Sequence, residues 1–589
     1  MRDFSNSEPY EALSYVWGSP ETTCSLYCKN STNLLITPNL RSALLALRLP
    51  DAPRVLWVDA ICIDQNNTAE QSSQVSLMRR IYIGAKRTVV YLGDKADDSE
   101  FAALFLSLLV EKVDGGVLAE LAKDINKKDK IMDLFQDAAR QLGSTWEELF
   151  KPLPPKKTLR AIVNLLARPW FQRVWVIQEF AVSKNVQMLV GMDEIELTSF
   201  VLAFGYAFPV AQVTWHEFGE PSTLRRFTRG LSQILQMHDL SQGIQNEGGE
   251  KYYRLTVLLS KCREAQATKG CDKIYALLGL SREAQNYVPN YSFSDKLAFT
   301  MFAAECIERG GTDAEDLLYE ACVSDEREEG IPSWVPDWRC LPKRRNLGHS
   351  FTGSPVTFFH AGIATTPSDP SYRNSYLKRE VVKVVTKGIL LHTVVFLGPA
   401  QAADDGSNLH LEHLVNVLQS MQGTRLGCTL TNEPYPTGEN IDEVLARVLE
   451  AGQPRDADQY LNSARESQTV RDIQLELLIA DYDHTANHYP LTLAEIRRLY
   501  KEEPQGLRNA ARAIAGRVYG LTDQGYAGLF PSNTRSGDRI CILQGFRVPF
   551  VLRRGSEGCW ILVGDAYVHG MMQGEMVGDG SCFQEIKIQ

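Results

Sequence analysis

Four runs in the first 195 residues carry apolar side chains at consecutive positions rather than at every second one. They are YEALSYVWG from residue 10, RVLWVDAICIDQ from 54, RTVVYLG from 87 and NVQMLVG from 185. A strand with one wet face alternates, and a strand enclosed on both faces does not. Helical sequence separates the runs. That rhythm predicts a parallel sheet covered on both sides, an α/β domain spanning residues 1–195. The shorter stretches CSLYCKN and NLLITP predict a hairpin joined through residues 30–33. Thr37 reads as a helix cap with Pro38 in the first turn, followed by Leu40, Leu44 and Leu47 at helical spacing. AEQSSQVSLMRRIYIGA reads as one helix with Val75, Met78 and Tyr82 on a face.

Residues 95–158 interrupt the rhythm with charged helical sequence, Lys-rich around 123–130, and read as an insertion. Residues 196–345 read as mainly helical, closing on IPSWVPDWR, a connector pinned by prolines and tryptophans. Residues 346–375 are rich in Gly, Ser, Thr and Pro and read as a linker. The remainder, 376–589, reads as an α+β region. It opens on the strand-like EVVKVVTKGILLHTVVFLG, and helices follow through about 515. It ends over 516–589 in a small antiparallel barrel or sandwich built from GDRICILQG, VPFVLRRG and CWILVGDAYVHG. No repeat of 20–50 residues is evident, which argues against a solenoid or propeller.

The formal net charge of −10 over 589 residues offers no basic face for non-specific nucleic-acid binding. The 12 cysteines include no CxxC pair and read as reduced thiols of a cytoplasmic protein, with no metal site. The N-terminal residues carry no apolar leader, and the apolar window FAALFLSLLV is too short to span a bilayer. No GxGxxG turn marks a dehydrogenase-type dinucleotide site, and no cofactor is expected.

Ligands of an open parallel sheet bind beyond the carboxyl ends of its strands. Three polar loops fall there. The first holds Tyr15, Trp17, Gly18, Ser19 and Pro20, the second Asp59, Asp64, Gln65, Asn66 and Asn67, and the third Gly93 and Asp94. Each is also what a plain turn looks like; their coincidence on one edge is the informative feature. A helix from Trp170 would carry Trp170, Val174, Ile177 and Ala181 on one stripe, and Phe171, Trp175 and Val182 on another. Within that enclosed helix stands Glu179, about 40° from Trp175 on the helical wheel. An enclosed carboxylate must find donors or hold its proton. Arg173 falls on another face of the wheel, leaving Arg168 or a basic residue elsewhere as partner. Two readings of Glu179 stand: a structural ion pair, or a working acid.

Three blocks, YEALSYVWGSP (10–20), residues 56–93 and RPWFQRVWVIQEF (168–180), resemble in order and spacing the fungal heterokaryon-incompatibility (HET) domain. CDKIYALLGL (271–280), PSWVPDW (332–338) and GDAYVHGMMQGE (564–575) look like segments that accompany it. The first block begins at residue 10, with less lead-in than is usual. The resemblance implies non-self recognition with cell death on fusion of incompatible partners. It also implies a remote likeness to the TIR domain, a flavodoxin-like parallel sheet. There Trp175 and Glu179 would match the W-x-x-x-E pattern of TIR domains that cleave NAD+ at the nicotinamide–ribose bond. Glu179 would be the catalytic acid, and Tyr15, Trp17, Gly18, Asp59, Asp64 and Trp175 would contact substrate. The alternative is a non-enzymatic TIR-like signalling module that self-associates or meets a sensor protein.

Overall fold

In the computed structural model the described residues are 8–19, 21–28, 33–112, 153–195, 221–246, 252–282, 287–324, 326–340, 347, 361, 378–380, 383–399, 417, 420, 421, 423, 424, 435–449, 451, 513–578 and 581–589. The Lys-rich 123–130 stretch, the 346–375 linker apart from 347 and 361, and the helical reading of 452–512 lie outside them. The chain divides into two compact units, Met1–Asp295 and Lys296–Gln589.

The first unit is built on a five-stranded sheet. Strands β1 (Glu11–Tyr15), β4 (Leu56–Trp57), β5 (Arg87–Tyr91) and β6 (Val186–Val190) run parallel. β7 (Asp193–Ile195) returns antiparallel on β6. The order is β4-β1-β5-β6-β7, so the sheet changes winding direction between β1 and β5. β1 is buried at every position and β5 at all but its first, as strands without polar alternation require. Glu11, at the start of β1, pairs with both Arg54 and Arg87, which fixes β1 against its two neighbours at that end.

A separate hairpin, β2 (Cys24–Tyr27) with β3 (Asn33–Ile36), lies between β1 and the first helix. In α1 (Pro38–Leu47), Thr37 caps by accepting from the Leu40 amide at 3.3 Å, with Pro38 in the first turn. Its Leu40, Ala43 and Leu47 pack with Leu13, Tyr15, Val58, Val89 and Tyr91 on one face of the sheet.

Three local readings are corrected. The run after Arg54 is a strand only over Leu56–Trp57. Asp59 takes the Ala60 amide on Oδ1 at 2.7 Å, and the chain turns into the helical turn α2 (Asp59–Cys62). The helix over residues 69–85 is two, α3 (Thr68–Val75) and α4 (Met78–Gly84), parted at Ser76 and Leu77. Asn67 caps α3 by accepting from the Ala69 and Glu70 amides, each at 3.1 Å.

The third correction bears on the site. After α5 (Ser99–Lys112) and α6 (Pro155–Leu166), residues Pro169–Gln172 form a 3₁₀ turn, and Arg173 is extended at φ −81°, ψ 142°. The α-helix proper, α7, is Trp175–Ala181. The cause is a short parallel bridge to Gln266: the Val174 amide donates to the Gln266 carbonyl at 2.8 Å, and the Gln266 amide donates to that of Gln172. Gln233 Nε2 donates to the Arg173 carbonyl at 2.7 Å. The single helical wheel drawn from Trp170 therefore does not apply across Arg173. Further helices α8 (Pro221–Asn246), α9 (Leu255–Lys261) and α10 (Asp272–Leu278) follow in this unit, and α11 (Asp295–Arg309) begins at its last residue.

The second unit holds α12 (Gly311–Glu320), α13 (Ile441–Leu449) and a nine-stranded, mostly antiparallel sheet. Strand β8 (Lys378–Glu380) is a short hairpin arm on the 15-residue β9 (Lys383–Leu397). Strands β10 (Arg517–Thr522) and β11 (Ala527–Pro531) extend β9 on one side, with β15 (Tyr567–Val568) beyond. β12 (Arg539–Leu543), β13 (Phe550–Arg554), β14 (Trp560–Asp565) and β16 (Gln584–Ile588) close a ring with β9, because β9 pairs both β12 and β16. Gly388 is where β9 passes between these two partners. A Cβ there would stand 2.9 Å from Cys541 Sγ and 3.1 Å from Ile586 Cγ1, so glycine is required for the close approach. Among the described residues no helix is long and apolar enough to cross a membrane.

Candidate functional site

The site forms where the sheet changes winding direction, at the carboxyl end of β1. Side chains of Leu13 and Tyr15 go to the α1 face, and Ser14 goes to the other. On that second face Ser14 Oγ donates to Glu179 Oε2 from α7. Trp170, fully enclosed in the 3₁₀ turn, donates its indole N–H to Ser14 Oγ at 2.9 Å. Ser183 Oγ, one turn on, donates to the Glu179 carbonyl at 2.5 Å. Tyr82 of α4 brings its hydroxyl to the Leu13 carbonyl at 3.1 Å and stands beside the same carboxyl.

Glu179 is 4% exposed. Burial pushes its carboxyl up to about 7, against the opposing pull of the Arg173 charge and the Ser14 hydrogen bond. The Asp59 charge adds to the rise, and the Tyr82 hydrogen bond opposes it. Arg173 lies close enough to act on both carboxylates through space, while its Nη1 donates to the Tyr15 carbonyl at the end of β1. Arg173 thus makes no direct ion pair with Glu179 and acts on it by charge through space. Its extended backbone swings the guanidinium to the strand end. Arg168 is engaged elsewhere, donating to the Leu92 carbonyl at 3.0 Å and the Ala96 carbonyl at 3.4 Å.

Asp59 begins the turn after β4 and accepts from Trp17 Nε1 at 2.9 Å. Burial raises its carboxyl pKa, opposed by the Arg173 charge and the Trp17 hydrogen bond. Tyr15 is 2% exposed, and its hydroxyl has no hydrogen-bond partner among the described residues. Burial, with the Asp59 charge, drives that hydroxyl well above its usual range and keeps it protonated. Gly18 turns the chain at φ +73°, close against Asn39, whose Nδ2 donates to the Val16 carbonyl at 3.3 Å.

Of the sequence candidates, Tyr15, Trp17, Gly18, Asp59 and Glu179 thus gather around the end of β1. Trp175 and Asp64 do not join them. Trp175 hydrogen-bonds Asp272 of α10, which also accepts from Tyr291 at 2.7 Å, so its indole serves helix packing. Asp64 is exposed and accepts from the Asn66 amide at 3.0 Å, a turn of its own making. Ser14, Trp170, Tyr82 and Arg173 were missed as a group. The available signal was Ser14, a hydroxyl inside an enclosed strand, which must find a partner. Among the described residues no cluster of three His, Cys, Asp or Glu side chains could hold a metal ion.

A family model described as heterokaryon incompatibility protein (HET) matches residues 10–179, a span running from the lead of β1 to Glu179. A second, described as a Het-6 beta-barrel domain, matches residues 459–581. That span begins after β9, the strand that closes the ring here. The chain is 25% identical over 639 residues to heterokaryon incompatibility protein 6, OR allele, of Neurospora crassa, covering 96% of this chain and 90% of the relative. No solved structure matches the chain.

Proposed function

Because this chain is a fungal HET-domain protein, we propose that it acts in heterokaryon incompatibility as a cytoplasmic effector of cell death that cleaves NAD+ at the nicotinamide–ribose bond. The single observation that carries the enzymatic part is Glu179. It is an enclosed carboxyl at the carboxyl end of β1, beside the point where the sheet changes winding, held by a hydroxyl rather than by a direct ion pair. The strand order 2-1-3-4 of the parallel strands also supports a flavodoxin- or TIR-like reading.

The chemistry suits one carboxyl. Nicotinamide is already cationic and leaves with the electron pair of the C1′–N bond, with no general acid. The ribose then gains oxocarbenium character, which a carboxylate stabilises. Water adds at C1′, and its proton passes to Glu179, a base whose pKa of about 7 matches neutral conditions. On this reading Tyr15, Trp17, Gly18 and Asp59, which stand near the carboxyl end of β1, would contact the substrate. The rival reading is a non-enzymatic assembly module. It is favoured by the β2–β3 hairpin, which leaves Tyr27 81% and Leu35 61% exposed.

The test is NAD+ consumption by the purified full chain, alone and with a forced-dimer tag, beside Glu179→Gln. Wild type should release nicotinamide, and the variant should lose about 100-fold or more of kcat. Equal NAD+ levels with equal toxicity in cells would remove the enzymatic reading. Toxicity that depends on the hairpin residues but not on Glu179 would favour assembly.

A further inference from the structure

The residues behind Glu179 decide which of its oxygens exchanges a proton. An indole N–H is a donor and nothing else, and Trp170 gives it to Ser14 Oγ at 2.9 Å. A serine hydroxyl carries one hydrogen. With a lone pair committed to Trp170, that hydrogen is directed onto Glu179 Oε2, the acceptor that Ser14 Oγ meets. The second lone pair of Ser14 Oγ could take a proton from Oε2 only if the serine hydrogen turned to another acceptor. Among the described residues Glu179 Oε2 is the acceptor it meets, so Oε2 stays an acceptor whether or not Glu179 is protonated. A proton taken up by the carboxyl must sit on Oε1.

The surroundings add one further hydrogen bond to the carboxyl, with Tyr82, whose hydroxyl also meets the Leu13 carbonyl at 3.1 Å. Arg173 and Asp59 act on the carboxyl through space. Tyr15 on β1 and Tyr82 on α4 have hydroxyls pushed upward by burial, so neither titrates in the neutral range. Ser14 and Trp170 are 1% and 0% exposed, and Trp170 is braced edge-on against Phe171 with ring centroids 5.0 Å apart. The donor geometry is held by packing on all sides.

We propose that Trp170 and Ser14 form a fixed two-step hydrogen-bond relay that positions Glu179 with Oε2 as a permanent acceptor and Oε1 as its single proton-exchanging atom. Both are positioning residues. Their use in turnover rests on the reading of Glu179 as the working acid; the placement of the proton rests on the geometry alone.

The test follows the protonated carboxyl of Glu179 in the full chain by infrared difference spectroscopy over about pH 5 to 9, a range that brackets its value of about 7. Its band is the one that Glu179→Gln removes. Ser14→Ala deletes the donor to the charged form, so the midpoint should rise by roughly one to two pH units. Ser14→Thr keeps the hydroxyl and should restore it. Trp170→Phe frees the hydroxyl to turn and should move the midpoint in the same direction by less. If that variant does not fold, the Ser14 pair decides alone. A midpoint unmoved or lowered in Ser14→Ala overturns the relay. NAD+ cleavage measured on the same samples separates the two claims. A shift without cleavage in any protein retains the relay and removes the enzyme, whereas cleavage without a shift does the reverse.

Discussion

Asp565 in the barrel and Glu179 in α7 are both enclosed carboxylates, and the fold treats them differently. Asp565 receives Arg517 Nη2 at 3.1 Å on each oxygen, Arg517 Nη1 at 2.7 Å on its backbone carbonyl, and the Leu347 amide at 2.5 Å. Both side chains of that pair are 0% exposed. Glu179 receives a serine hydroxyl, while the guanidinium nearest to it, Arg173, spends a donor on the Tyr15 carbonyl. A charge enclosed with its full counter-charge is fixed in one state. A carboxyl enclosed without one is left near its titration point, where it can give and take a proton. The difference separates a fastening from a candidate working group.

The largest effect should come from breaking the fastening. Arg517→Met leaves Asp565 enclosed and uncompensated, and should cost roughly 3–5 kcal/mol in a urea transition followed by fluorescence of Trp560 on β14. Replacing Asp565 with Leu in the same protein should recover part of the loss, since no charge is then stranded. A cost of Arg517→Met below about 1 kcal/mol would place this pair among ordinary surface bridges and erase the contrast.

Glu179→Gln should do the opposite. Its pKa in the fold, about 7, exceeds the ordinary 4.5, so the folded chain holds more protons than the unfolded chain between those values. Stability must therefore fall as pH rises through that window. The shift corresponds to about 3 kcal/mol lost by pH 8. The neutral amide escapes it. Glu179→Gln should be the more stable protein at pH 8, with the gain fading towards pH 4.5. A gain that persists below that pH would contradict the linkage.

How much of this was legible in the sequence depended on whether local chemistry set the outcome. The parallel strands followed from runs without polar alternation, and α1 from Thr37 and Pro38, because burial and capping act within a few residues. Glu179 stood out because an acid in an apolar run needs an account. Arg173 was misplaced because its extended backbone is fixed by Gln266, some ninety residues away in the chain. Ser14's partner comes from 165 residues further on, and no spacing rule reaches that far. The barrel was read from its last 74 residues, 516–589, whereas β9, from before that stretch, closes the ring.

The smallest effect on the fold, and the sharpest test of the contrast, belongs to Tyr15. Its neighbours use their hydroxyls: Tyr82 donates to the Leu13 carbonyl and Tyr91 to Asp94 at 2.5 Å. The Tyr15 hydroxyl, equally enclosed, has no partner among the described residues. An enclosed hydroxyl without a partner contributes nothing to hold the fold and costs its desolvation. Tyr15→Phe keeps the ring in the cluster with Leu40 and Val58 and removes only that oxygen. Thermal unfolding should therefore change by less than about 0.5 kcal/mol, or shift towards greater stability. On the proposal that the hydroxyl contacts substrate, the same variant should raise KM for NAD+ by up to about tenfold. Asp565 would then be a polar group whose loss is felt by the fold, and Tyr15 one whose loss is felt by the ligand. A clear fall in Tm with an unchanged KM would place the Tyr15 hydroxyl beside Asp565 as a structural group.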